Sequence, residues 1–321
     1  MITVTVLALK NSVLASIADA RYVFTKANQF LQEAGKPPLF IIQLAGASKK
    51  IKLNDGLFNI EPELDLSEVS KSDLIIIPAL EGDMMSATHV NREYGHWISR
   101  QYKQGAEIAS LCTGAFMLAF SGILKGKQCT THWQYANEFK HFYPSVKLVD
   151  EKVLTHQNGV YSSGGSNAYW NLLIHLVEKY AGREMAIYTA KYFVIDFNRE
   201  MQTPFIIFNG LKDHEDDVVL NAQEYIEENY SEKLNVDELS EKFNLTRRTF
   251  ERRFKKATRN TVAEYIQRVR VEAAKKLLEA GRKTVTEIMY EVGYGDLQTF
   301  RDVFKKITGM TPVDYMGKYN K

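Results

Sequence analysis

Thr246-Arg247-Arg248-Thr249-Phe250-Glu251-Arg252-Arg253-Phe254-Lys255-Lys256 reads as one short helix with two unlike faces. Phe250 and Phe254 are four apart and share one side; Arg248 and Arg252 are also four apart and share another. Thr246 suits the N-cap. Lys255 and Lys256 fall in the last turn, where cations complement the helix dipole. An aromatic underside beneath an arginine crest is a shape that lies well on nucleic acid. Taken alone, the stretch favours a plainer reading, a solvated charged face over an ordinary core stripe.

The stretch occurs twice, which favours the first reading. The segment Val236 to Tyr265 lies on Val285 to Tyr315. Leu239 matches Ile288 and Phe243 matches Val292. After one extra residue, Gly295, Phe250 matches Phe300 and Phe254 matches Phe304. Lys255-Lys256 then matches Lys305-Lys306, and Tyr265 matches Tyr315. Two copies are too few for a solenoid and suit a pair of helix-turn-helix units.

Charge separates this part from the rest. Residues 231–321 carry 20 Lys and Arg against 13 Asp and Glu, while the remaining chain carries 21 against 26. A basic last third on an acidic body points to a polyanionic partner for that third alone. A length of 321 residues is enough for two domains with a core each. Two cysteines, Cys112 and Cys129, do not make a disulfide framework. The N-terminal apolar run breaks at Lys10 and nothing approaches a membrane span, so a cytoplasmic protein without membrane contact is expected.

The first two hundred residues alternate strands and helices. Thr3–Leu9, Leu39–Leu44, Ser72–Pro78 and Ala106–Leu111 read as strands; 17–31, 90–102 and 114–124 read as helices. The aliphatic run Leu74-Ile75-Ile76-Ile77 is of the kind a parallel sheet buries on both faces. The pattern predicts a doubly wound α/β domain, whose ligands bind beyond the C-terminal strand ends. Ser110-Leu111-Cys112-Thr113-Gly114 lies at such an end. A strand runs straight into a helix through small residues, with one cysteine at the bend, as in a nucleophile elbow. A helix N-terminus there favours the thiolate. Cys129-Thr130-Thr131-His132-Trp133 ends the next short strand and brings His132 toward the same rim. Further on, 147–150 and 153–155 are expected to pair as a hairpin. Asn158-Gly159 reads as a turn before Val160–Ser163. Gly164 and Gly165, with Ser163, are placed to offer backbone N–H groups at the start of a helix over 167–180. His214 on a charged stretch reads as solvated, not as a metal ligand.

Two resemblances carry the rest. Cys112-Thr113-Gly114-Ala115-Phe116, Ser121-Gly122-Ile123-Leu124-Lys125-Gly126 and Thr130-Thr131-His132-Trp133 resemble the class I glutamine amidotransferase-like superfamily, nearest its ThiJ/PfpI-like branch. Gly293-Tyr294 and Gly309-x-Thr311-Pro312-x-x-Tyr315 resemble the AraC/XylS family of bacterial transcription regulators. In this order, the two resemble the amidotransferase-like subgroup of AraC regulators, over nearly the whole chain.

These resemblances imply a flavodoxin-like, mostly parallel α/β sensor domain over 1–200, a linker over 201–216 and an all-α double helix-turn-helix domain over 217–321. They imply a sequence-specific transcription regulator that binds double-stranded DNA. A small-molecule effector is expected beside Cys112, Thr113, His132, Gly164 and Gly165. In enzymatic relatives the elbow cysteine attacks a carbonyl and the histidine moves protons, which makes Cys112, His132 and Asp19 the candidates for catalysis. This chain departs from that pattern. Pro78-Ala79-Leu80-Glu81-Gly82 stands where a Gly-Gly oxyanion turn is common, and Gln134 stands where an acid would follow His132. Sensing is therefore the expected role, with a cysteine-dependent amidohydrolase or deglycase fused to a DNA-binding module as the alternative. No cofactor or metal is expected; a homodimer is, and RNA polymerase is a partner the class allows.

By matching positions, Arg248 and Arg252 would face bases, with Arg247 and Thr249 nearby, since arginine pairs with guanine O6 and N7. In the second unit Leu297, Gln298 and Arg301 would face the groove. Lys256 and Lys305, with Lys255 and Lys306, are expected on phosphates, which position the protein without reading sequence. Asp302 would repel phosphate unless it pairs with Arg301 or accepts from a cytosine amine, so the first unit is expected to carry more affinity. Arg259 and Val262 stand opposite Gly309 and Pro312, a difference expected to alter the turn only. A helix over 263–280, about 27 Å long, would space the recognition helices near one duplex turn apart.

Overall fold

The structure, a computed structural model, describes residues 1–196, 200–212 and 214–320. Asp213, part of the stretch expected as linker, lies outside the described residues. The chain divides into two compact units, Met1–Gln202 and Thr203–Lys321.

The first unit runs β1 (Ile2–Ala8), α1 (Leu14–Glu33), β2 (Phe40–Gly46), β3 (Ile51–Leu53), β4 (Phe58–Ile60), β5 (Leu64–Asp65), β6 (Leu74–Ile77), α2 (Met84–His89) and α3 (Arg92–Lys103). It continues through β7 (Glu107–Ser110), α4 (Ala115–Phe120), β8 (Gln128–Cys129), α5 (Ala136–Phe142), β9 (Lys147–Leu148), β10 (Leu154–Gln157), β11 (Val160–Ser163), α6 (Tyr169–Ala181) and α7 (Arg183–Tyr192). The main sheet has the order β10-β11-β7-β6-β1-β2-β5, parallel except for β10 against β11. Strand alternation sends side chains to opposite faces. Val4, Val6, Leu74, Ile76 and Ala109 pack with α1, α6 and α7. Leu7, Ile75, Ile77 and Ile108 pack with α3, α4 and Phe139. Both faces are covered, which is why β6 is aliphatic at every position and wholly buried. This is the doubly wound domain expected from the alternation.

One local expectation is corrected. The strand at 147–148 does not pair with 153–155. β9 runs parallel to β8, and β10 turns back on β11 through Asn158-Gly159, both at positive φ (51° and 70°). A two-residue turn with both positions left-handed fixes that hairpin's register. The helix expected over 90–102 is α3, and a separate short helix, α2, precedes it with Asn91 between the two. The Asn91 side chain accepts from Lys10 N–H (3.0 Å) and donates to Lys10 O (2.8 Å) and Ala87 O (2.7 Å).

The second unit is helical: α8 (Asp217–Glu228), α9 (Val236–Lys242), α10 (Arg247–Thr258), α11 (Val262–Ala280), α12 (Val285–Glu291), α13 (Leu297–Thr308) and α14 (Pro312–Tyr319). Threonine side chains cap α10, α11, α12 and α14, and α11 and α12 carry full capping boxes. Two cores share α11. Val262, Tyr265 and Ile266 close one with Phe250 and Phe254. Val271, Ala274 and Leu278 close the other with Phe300, Phe304 and Tyr315. The repeat extends to the turn after each recognition helix. Arg259 sits at φ 59° and Gly309 at φ 77°, so the non-glycine residue takes the same left-handed turn.

The segment expected as linker divides between the units. Met201 bridges to Lys152, and Gln202 is 2 % exposed within the first unit. Thr203 to Leu211 pack in the second unit, where Ile206 O accepts from the Lys275 ammonium (2.6 Å) and Phe208 stacks edge-on to Tyr265.

Candidate functional site

Strand β7 ends in a tight bend. Leu111 N–H still donates to Ile77 O (2.9 Å), and then Cys112 takes φ 53°, in the left-handed region that L side chains avoid. A side chain at Gly114 would place its Cβ 2.5 Å from Pro78 O, so glycine is required where α4 begins. The bend is pinned from outside. Cys112 N–H donates to Ser163 Oγ (3.2 Å), and Cys112 O accepts from Thr131 Oγ1 (3.2 Å). A backbone held in a costly conformation by several partners marks a candidate functional position.

The chemistry at the bend is not that of an activated nucleophile. Cys112 is 5 % exposed, and burial pushes its thiol up to about 11, outweighing the hydrogen bond from Thr113 N–H. The expected Cys112–His132 pair is not formed, as no hydrogen bond joins them among the described residues. His132 Nδ1 instead accepts from Gln134 N–H (3.1 Å), and burial holds the imidazole below its ordinary range, toward the neutral form. Asp19 is also engaged elsewhere, since its carboxylate accepts from Tyr169 OH (2.6 Å). Burial and that carboxylate keep the Tyr169 phenol far above its ordinary range, and the Cys112 charge adds to this. Burial, and after it the charges of Glu138, Cys112 and Glu81, hold the Tyr135 phenol above its ordinary range. Tyr135 and Tyr169 are two groups the sequence reading did not single out.

In the turn after β6 the Leu80 amide is not free for a developing oxyanion. Leu80 N–H donates to Thr113 Oγ1 (2.9 Å), and the same hydroxyl donates to Leu80 O (2.6 Å). The glycine N–H groups are also taken: Gly164 N–H by Val153 O (2.8 Å) and Gly165 N–H by Gln202 Oε1 (3.2 Å). The expectation that they present bare donors is corrected, because Val153 and Gln202 satisfy them from within.

In the second unit the recognition helices separate their faces cleanly. Phe250 and Phe254 on α10, and Phe300 and Phe304 on α13, are fully buried. Arg248, Arg252, Lys256, Gln298, Arg301 and Lys305 are exposed, while Thr249 and Leu297 are half-buried. Among the described residues, Arg248, Arg252 and Arg301 make no ion pair. Arg247 does, bridging Asp237 (3.0 Å) and Glu251 (3.3 Å), which ties it to its own helix pair. Arg253 fixes α10 to Asp216 (2.6 Å), the N-cap of α8. Asp302 pairs with Gln298 (3.0 Å) and not with Arg301. His214 lies 2.8 Å from Gln223 Oε1, a partner the sequence did not indicate.

A doubly wound domain with a cysteine elbow, followed by two matched helix-turn-helix units on one shared helix, defines a transcription regulator of the AraC type. The chain belongs to the DJ-1/PfpI family, whose model matches residues 14–179, and a helix-turn-helix domain model matches residues 239–318. It is similar to the HTH-type transcriptional regulator GbdR of Pseudomonas aeruginosa, 25% identical over 309 residues, which are 96% of this chain and 82% of that one. It is similar also to the HTH-type transcriptional regulator GlxA of Rhizobium meliloti, 21% identical over 95% of this chain and 93% of that one. The crystal structure of a transcriptional-regulator candidate from Vibrio parahaemolyticus shares the fold, with TM-score 0.53 and 20% identity over 60% of this chain and 98% of that chain. No described helix is long and apolar enough to cross a membrane.

Proposed function

We propose that the first unit binds a small-molecule effector beside Cys112 and that its occupancy sets the grip of the second unit on DNA. Arg248 and Arg252 carry base reading in the first helix-turn-helix, and Gln298, Leu297 and Arg301 do so in the second. Lys256 and Lys305 hold phosphates. Arg247 and Thr249 shape the first helix edge. The observation that carries this reading is that Arg248 and Arg252 of α10 are exposed, with no ion pair among the described residues, above a fully buried aromatic face. Guanidinium groups left without carboxylate partners beside buried Phe250 and Phe254 are poised for guanine edges and phosphates. The protein works as a homodimer and meets RNA polymerase at its promoter.

The cleft senses and does not hydrolyse. A protonated buried thiol, an imidazole turned to Gln134 and an occupied Leu80 amide remove nucleophile, base and oxyanion donor together. The test pairs amide and glycated-amine turnover assays with the Cys112→Ser variant, alongside thermal shift against metabolite pools. No turnover, with a compound that raises the melting temperature of the wild type, supports sensing. Turnover abolished in Cys112→Ser contradicts it.

A further inference from the structure

The residue that ends the first unit is built into the loops around Cys112. The Gln202 amide nitrogen lies within hydrogen-bond distance of Thr131 O (3.0 Å), Asp150 O (2.6 Å), Lys152 O (3.2 Å) and Thr130 Oγ1 (3.3 Å). Its amide oxygen accepts from Gly165 N–H (3.2 Å), and its backbone N–H donates to Glu151 O (2.8 Å). Gly164 leaves it room, since a Cβ there would lie 2.5 Å from the amide nitrogen. The same loops hold the elbow. Thr131 Oγ1 donates to Cys112 O, Ser163 before Gly164 receives Cys112 N–H, and His132 follows Thr131. A glutamine that is 2 % exposed and shared by three loops is a point where their positions are read together.

The next residue belongs to the reader. Thr203 Oγ1 would lie 2.8 Å from a Cβ at Gly309, the left-handed residue that ends recognition helix α13. Ile206 O and Phe208 N–H are held by Lys275 (2.6 Å) and Glu272 (3.1 Å) on α11, the helix shared by both cores. One peptide bond therefore joins the lock on the cleft loops to a segment anchored at α11 and α13.

We infer that Gln202 is the coupling residue: it positions Thr203 according to the state of the Cys112 loops and so carries effector occupancy to the recognition helices. This rests on the effector reading above and adds its route. A ligand that displaces Thr131, His132 or the 163–165 turn must move or release the Gln202 amide. No rearrangement of the sheet is required.

The test uses the full chain, with iodoacetamide as the probe that alkylates Cys112 at alkaline pH, with loss of iodide, before return to neutral pH; peptide mass spectrometry confirms one adduct, on Cys112 and not on the fully buried Cys129. Affinity is measured for a duplex that the wild type selects from a random pool. Alkylation is expected to change wild-type affinity by about fivefold or more, the usual scale of coupling between sites. In Gln202→Ala that change should fall to less than about twofold, while unalkylated binding and hydrogen-exchange protection of strand β6 stay at wild-type values. Gly164→Ala, which crowds the amide from the other side, should uncouple in the same way and carries the test if Gln202→Ala does not fold. Equal shifts in the wild type and both variants overturn the Gln202 route and leave the effector reading standing. No shift in any protein, wild type included, removes the effector reading and the route with it.

Discussion

The Thr113 hydroxyl holds both backbone polar groups of Leu80, accepting its N–H at 2.9 Å and donating to its carbonyl at 2.6 Å. Leu80 and Thr113 are both buried, so neither contact is shared with solvent. The contact couples the turn after β6 to the residue that follows the cysteine. It spends, on internal structure, the amide that an acyl-transfer site would keep for an oxyanion.

Thr113→Val keeps the shape and removes both bonds. It leaves a buried N–H and C=O without their partner, and a loss of about 1–3 kcal/mol is expected. Urea unfolding of the first unit reads this directly. An unchanged midpoint would mean that the contact is incidental.

The buried thiol has a pH signature. Its folded-state value, about 11, lies above the ordinary 9.0, so the unfolded chain releases that proton first as pH rises. The contribution to stability is whole below pH 9 and is lost as pH climbs toward 11. Alkylation of Cys112 by iodoacetamide should accelerate about tenfold per pH unit across that interval, following the thiolate fraction. A rate that levels off near neutral pH would mean an ionised thiol and would revive the hydrolytic reading.

Arg259 stands at φ 59° in the position that Gly309 fills in the second repeat. The left-handed conformation costs a residue with a Cβ about 1–2 kcal/mol, partly offset in the variant by glycine's greater unfolded entropy. Arg259→Gly should therefore stabilise the second unit by about 0.5–1 kcal/mol. Thermal unfolding checks the direction, and a lower melting temperature would count against the strain.

Much of this was legible in the chain because it is local. Phe250, Phe254, Phe300 and Phe304 declare their helices by spacing, and Thr246, Thr261, Thr284 and Thr311 announce helix starts. The aliphatic run at Leu74–Ile77 declares a doubly covered strand. What escaped depends on partners far along the chain. Asn91 stands between α2 and α3 and is held by Lys10, 81 residues away. Asp19 serves Tyr169 at a separation of 150 residues, and among the described residues no hydrogen bond joins Cys112 to His132. Gln202 looked like linker because its partners, Thr130 to Lys152, lie 50 to 72 residues before it. No periodicity marks such a residue.

Base reading by Arg252 is the central claim, and DNA affinity measured against salt tests it most directly. Wild type, Arg252→Ala and Lys256→Ala are titrated with the selected duplex and with an unrelated one. Arg252→Ala should cost about 1–3 kcal/mol on the selected duplex and far less on the unrelated one. Lys256→Ala should weaken both alike and lower the salt slope by about one. Unchanged affinity for the selected duplex in Arg252→Ala, at physiological salt, would contradict the account.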